Sequence, residues 1–150
     1  MKGMKESYEI HDPFLSFMLV LRGGVKLRER IERLAHWLKE HEADFAFINS
    51  VPNVFYLSNF SCNPMERLLG LIVFQEADPV MICPKLEEEQ VKRAHWPFDI
   101  IGYTDNEDPW QLIQEHLAKK GIEQAQAYSI EEEVLTYARS QKLKEMYPNA

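Results

Sequence analysis

Leu68 to Phe74, the run LLGLIVF, is followed by Glu76-Ala77-Asp78 and then by Pro79 to Cys83, PVMIC. The first run is almost continuously apolar and reads as a strand buried on both faces. Its connection to the second is short and polar, so the two form a hairpin. A strand covered on both faces needs a packed layer above and below it. The antiparallel pair also excludes a purely parallel sheet.

Outward from this hairpin the chain alternates helix and strand. Leu27, Ile31, Leu34, Ala35 and Leu38 recur at helical spacing, so Lys26 to His41 reads as an amphipathic helix, with Glu29, Arg30, Glu32, Arg33, Lys39 and Glu40 on its wet side. Asp44 to Asn49 (DFAFIN) reads as a strand. Ser50 to Asn53 reads as a turn, with Asn53 capping a short helical turn that carries Val54 to Leu57. Leu86 to His95 has helical character, with Leu86, Val91 and Ala94 turned inward, and Phe98 to Tyr103 is another strand. Asp108-Pro109 is a helix start, a capping carboxylate followed by proline at the first helical position, and Gly121 closes that helix. Gln126 to Glu131 is a fifth strand, and Thr136 caps a last helix that Pro148 stops. The expected fold is α/β, a mixed sheet of about five strands flanked by helices.

Composition bounds the function. The 150 residues carry 17 Lys and Arg against 24 Asp and Glu, a formal charge of −7. That balance, with no run of basic residues, disfavours nucleic acid as a partner. No apolar run approaches the length of a membrane helix, so a membrane is not an expected partner. Cys62 and Cys83 are too few for a disulfide framework or a cysteine zinc site, and read as reduced thiols of a cytoplasmic protein.

The first 24 residues stand apart. Phe14 to Leu21 is apolar, but Glu6, Glu9 and Asp12 precede it where a secretory signal needs positive charge. Arg22-Gly23-Gly24 before Val25 is what a purine-rich ribosome-binding site and a GTG start would encode if read through. The expected domain therefore runs from 25 to 150, with 1–24 an extension that is either non-native or translated from upstream, the competing expectation being a genuine N-terminal strand or arm.

Familiar catalytic patterns are missing. No P-loop, GxSxG or HExxH occurs. His36 and His41 are five apart on one helix, the wrong spacing for two ligands, and read as surface residues. His95 and His116 sit near helix ends as mild charge partners for the dipole. The runs Glu87-Glu88-Glu89 and Glu131-Glu132-Glu133 read as solvated ends, and no metal ligand set is expected.

Asn53 to Phe60, NVFYLSNF, resembles the N-x-x-Y-L-[ST]-G-F signature of the creatinase/prolidase N-terminal domain family. Arg67 leading into LLGLIVF, then PVMICPKLEEEQ, then EEEVLTYARSQKLKEMYP to Pro148 follow in that family's order. The resemblance implies a ribonuclease H-like fold and a non-catalytic domain of a Xaa-Pro dipeptidase or aminopeptidase P. Such a domain shapes substrate access and makes dimer contacts. It implies as partners a C-terminal pita-bread catalytic domain, a second copy of the parent and a peptide substrate. It places a dinuclear divalent metal (Mn, Co or Zn) in that catalytic domain, with no cofactor in this chain. Residue by residue, it points to Arg67, Tyr56, Asn59 and Phe60 as substrate-access or partner-subunit contacts, and to no catalytic residue. Asn59 stands where the family prefers glycine, and Pro64 or Met65 where creatinase-like members carry an aromatic, which fits a peptidase better than a creatinase. The competing expectation is a stand-alone α/β binding module.

Overall fold

The computed structural model describes residues 24–150. The expectations for the N-terminal extension lie outside the described residues.

Helix α1 (Gly24–Glu40) leads into β1 (Phe45–Ile48), α2 (Val51–Ser58), β2 (Gly70–Phe74) and β3 (Val80–Pro84). A 3-10 turn (Lys85–Glu87), α3 (Glu88–Arg93), β4 (Asp99–Tyr103), α4 (Pro109–Lys119), β5 (Tyr128–Ile130) and α5 (Tyr137–Met146) complete the order. The five strands lie in the order β4-β3-β2-β1-β5. β2 pairs antiparallel with both β1 and β3, while β3–β4 and β1–β5 are parallel. This is the mixed five-stranded α/β sheet that the hairpin and the alternation predict.

Period-two alternation divides the three central strands between two cores. Ala46, Ile48, Leu71, Val73, Met81 and Cys83 face one side, against Leu27, Ile31, Leu34 and Leu38 of α1, Val54 and Leu57 of α2 and Val91 of α3. Phe45, Phe47, Ile72, Phe74, Val80 and Ile82 face the other, against Ile113 and Leu117 of α4 and Leu143, Met146 and Tyr147 at the end of α5. Both faces are covered, so every residue of β1, β2 and β3 is buried. That double burial is why LLGLIVF carries no polar alternation.

The caps at Asp108 and Thr136 form as expected, each side chain accepting a backbone N–H of the first turn. Gly121 adopts φ +86° after α4. Four local expectations are corrected. α2 begins at Val51, and its cap is Ser50, whose hydroxyl accepts Asn53 N–H at 3.3 Å. Pro52 therefore sits in the first helical turn, where no N–H is needed, instead of marking a separate turn. Leu86 is 80% exposed, because the tight 3-10 turn shifts the phase at which α3 meets the core. Arg30 is buried rather than on the wet side of α1. Its Nη1 donates to the Tyr56 carbonyl near the end of α2 at 2.8 Å, and its guanidinium lies 4.7 Å from the Tyr56 ring centroid. Glu131, expected in solvent, is 5% exposed. Buried carboxylates need donors, and this one has four.

Candidate functional site

The pairings bring the C-terminal ends of β1, β3, β4 and β5 to the edge at which β2 begins. Loops at such an edge can carry functional side chains on a rigid scaffold. At its β1–β5 corner, Asn49 N–H and Ser50 N–H donate to Glu131 Oε2 at 2.7 and 2.8 Å. The Ser50 hydroxyl and Asn53 Nδ2 donate to Oε1 at 2.6 and 2.5 Å. The carboxylate lies at the start of α2, where negative charge is favoured, and ties the end of β5 to the signature helix.

At the middle of the edge, residues 61–69 run from α2 to β2 without regular structure. Three consecutive carbonyls there are taken by distant side chains. Arg139 Nη2, on the first turns of α5, donates to Glu66 O at 3.4 Å and Arg67 O at 3.2 Å. The Tyr103 hydroxyl at the end of β4 donates to Leu68 O at 2.9 Å. Burial pushes the Tyr103 phenol up, opposed by that hydrogen bond and by the charges of Arg139 and Arg67, so it remains a proton donor. Arg67 itself points outward and pairs with Asp105, Nη2 to Oδ2, at 3.2 Å. A half-exposed guanidinium on an anchored backbone can bind carboxylates through two parallel hydrogen bonds.

The other residues singled out in the signature lie behind this edge. Tyr56 is fully buried, its hydroxyl accepting from Arg33 Nη2 at 2.9 Å. Phe60 is buried, and its N–H donates to Ser58 Oγ at 3.1 Å. Asn59 occupies the left-handed position after α2 at φ 60°, its N–H donating to Phe55 O at 2.8 Å. Tyr56, Asn59 and Phe60 thus shape the segment that leads to Arg67. Asp105, Arg139 and Glu131 were not recognisable from sequence. Their partners lie 38, 72 and 81 residues away, and the one local hint was Glu131's place at the end of a strand.

Burial raises the thiols of both Cys62 and Cys83, the latter to about 12, so neither is poised as a nucleophile. His36 and His41 are exposed, His36 within 3.4 Å of Glu40 and His41 stacked on Trp37. Among the described residues, no group of three His, Cys, Asp or Glu is placed to hold a metal. Nor is any helix there long and apolar enough to cross a membrane.

A mixed sheet with helices on both faces, a carboxylate-capped signature helix and an arginine whose backbone is held at the sheet edge together define an α/β domain. The creatinase/prolidase N-terminal domain family matches residues 30–150, and the chain belongs to that family. A putative dipeptidase, YkvY, of Bacillus subtilis is 43% identical over 115 residues, covering 77% of this chain and 31% of that protein. The Xaa-Pro dipeptidase of Lactobacillus helveticus is 35% identical over 120 residues, covering 80% and 32%. The solved N-terminal domain of Xaa-Pro dipeptidase from Lactobacillus brevis superposes with a TM-score of 0.75 at 31% identity, covering 79% of this chain and 87% of that one. The chain thus spans about a third of the length of the curated relatives it matches.

Proposed function

We propose that residues 25–150 are the non-catalytic N-terminal domain of a cytoplasmic Xaa-Pro dipeptidase or aminopeptidase P, with residues 1–24 an extension ahead of it. In the parent, this domain shapes peptide access to the catalytic portion and contributes to a homodimer contact. The observation that carries the reading is family membership over residues 30–150, together with relatives named Xaa-Pro dipeptidase of which the chain spans about a third.

The geometry of the sheet edge supports the access role. Arg67 stands exposed there with its backbone anchored. Its guanidinium would receive the terminal carboxylate of a short peptide, exchanging Asp105 for substrate. Met65, Leu86, Val134 and Tyr137 are large apolar side chains exposed along the same edge, as a surface that meets another domain or subunit would have. Tyr56, Asn59 and Phe60 fix the end of the signature helix, from which residues 61–69 lead on to Arg67. The dinuclear metal, manganese, cobalt or zinc, belongs to the catalytic portion. The described residues of this chain do not offer its donor set, and no metal-borne step is assigned to them.

Hydrolysis of Xaa-Pro dipeptides with added Mn²⁺ or Co²⁺ tests the reading, with this chain run beside the parent read to its natural stop codon. Activity in the parent alone is expected. Activity in neither would leave a binding module that shares only the fold. In an active parent, Arg67→Ala is expected to raise KM about tenfold while kcat and metal content hold, the pattern of lost substrate binding.

A further inference from the structure

The clamped carbonyls at the sheet edge assign a task to a residue outside the signature. We propose that Arg139 is a positioning residue, which sets the backbone from which Arg67 reaches out. The proposal rests on the access role of Arg67 for its functional half.

Residues 61–69 have no helix or strand to satisfy their backbone, and a segment of that kind is ordinarily loose. Here the Arg139 guanidinium reaches across from α5, and one of its nitrogens, Nη2, serves the carbonyls of Glu66 and Arg67 together. Tyr103 holds the next carbonyl, Leu68 O, and the Arg67 N–H donates to Pro64 O at 3.0 Å. Three of these four bonds reach the backbone from other elements and the fourth closes a local turn, and the two from Arg139 are charge-assisted. The side chain of Arg67 is restrained separately, by the solvent-exposed pair with Asp105, which is weak and exchangeable. A firm backbone with a loosely held head is the arrangement that delivers a guanidinium to a carboxylate with little ordering cost. Arg139 needs no contact with the ligand to influence its binding.

The test separates this task from general stability. Because one nitrogen makes both bonds, Arg139→Lys offers an equivalent donor, whereas Arg139→Met keeps the aliphatic stem on α5 and removes every donor. In the isolated chain, amide hydrogen exchange at Arg67 is expected to quicken about tenfold in Arg139→Met, stay near wild type in Arg139→Lys, and leave the β1 and β2 amides unchanged. Equal Arg67 exchange in all three proteins overturns the proposal. In the parent, Arg139→Met is expected to raise KM for Xaa-Pro dipeptides with kcat held, Arg139→Lys to restore it, and the double variant with Arg67→Ala to be no worse than Arg67→Ala alone. A raised KM for Arg67→Ala beside a wild-type KM for Arg139→Met overturns the positioning role. A silent Arg67→Ala overturns the access reading and the functional half of this proposal together, and the exchange result then decides the structural half alone.

Discussion

Glu131 engages Ser50 twice: Oε2 accepts the Ser50 N–H at 2.8 Å, and Oε1 accepts the Ser50 hydroxyl at 2.6 Å. With Asn49 N–H and Asn53 Nδ2 also donating, one side chain at the end of β5 satisfies the entry to α2. Glu131→Ala leaves these buried donors without that acceptor and is expected to cost about 3 kcal/mol. Glu131→Gln keeps one acceptor but turns an NH₂ group toward donors, at about 2 kcal/mol. Urea unfolding measures both, and a variant within about 0.5 kcal/mol of wild type would mean that water replaces the carboxylate.

The two strand glycines are expected to differ in their tolerance of a methyl group. A Cβ on Gly70 would sit 3.0 Å from the Ile48 carbonyl oxygen and 3.2 Å from the Phe47 ring. Neither neighbour can withdraw from the centre of the sheet, so Gly70→Ala is expected to cost about 1–3 kcal/mol. A Cβ on Gly102 would meet the Glu88 carboxylate instead. That half-exposed side chain can swing into solvent, and Gly102→Ala is expected to stay within about 1 kcal/mol of wild type. Equal losses in thermal melts would contradict this assignment of rigid and yielding neighbours.

Asn59 sits at φ 60° with its Oδ1 buried and unpartnered. Asn59→Gly relieves the left-handed strain and removes the unmet acceptor. The gain is about 0.5–1 kcal/mol after the added freedom of the unfolded chain. Asn59→Ala keeps the strain without asparagine's tolerance of it. The expected order of melting temperatures is Gly, then Asn, then Ala.

The place of His116 near the end of α4 suggests a charge partner for the helix, and its surroundings oppose that role. Burial, then Lys120, pull its pKa below the ordinary 6.5, with Asp99 acting in the opposite direction. The unfolded chain therefore takes up this proton first as pH falls. Stability is fully present above the unfolded value and declines as pH drops from about 6.5 toward the lower folded value. His116→Gln should remove that component. The difference in stability between wild type and variant, followed from pH 7.5 to 5, cancels the shared carboxylate titrations. A constant difference would show that His116 is free to protonate in the native state.

Local chemistry carried much of the architecture. LLGLIVF and PVMIC were legible as strands because burial on two faces leaves no room for polar alternation. Asp108-Pro109, Thr136 and Gly121 were legible because a cap or a left-handed turn is decided within a few residues. NVFYLSNF was legible as a signature, and Asn59 took the left-handed position its place in that signature suggested. Other features depended on partners far along the chain. Glu131, first of three glutamates, is buried because the parallel β1–β5 pairing carries it to the start of α2, while Glu132 and Glu133 remain exposed. Arg30 looked like one more charge on a helix, and its burial follows from α2 laying the Tyr56 carbonyl and ring against it. Arg139 reaches the Arg67 carbonyl and Asp105 its guanidinium because α5 begins, and β4 ends, at the same edge of the sheet. The sequence alone determined which segments are apolar, how they repeat and where they stop, since those depend on short-range sterics and hydration. The tertiary structure decided which charged groups are buried and which are presented, because a desolvated charge is tolerated only where the fold has assembled its donors or acceptors.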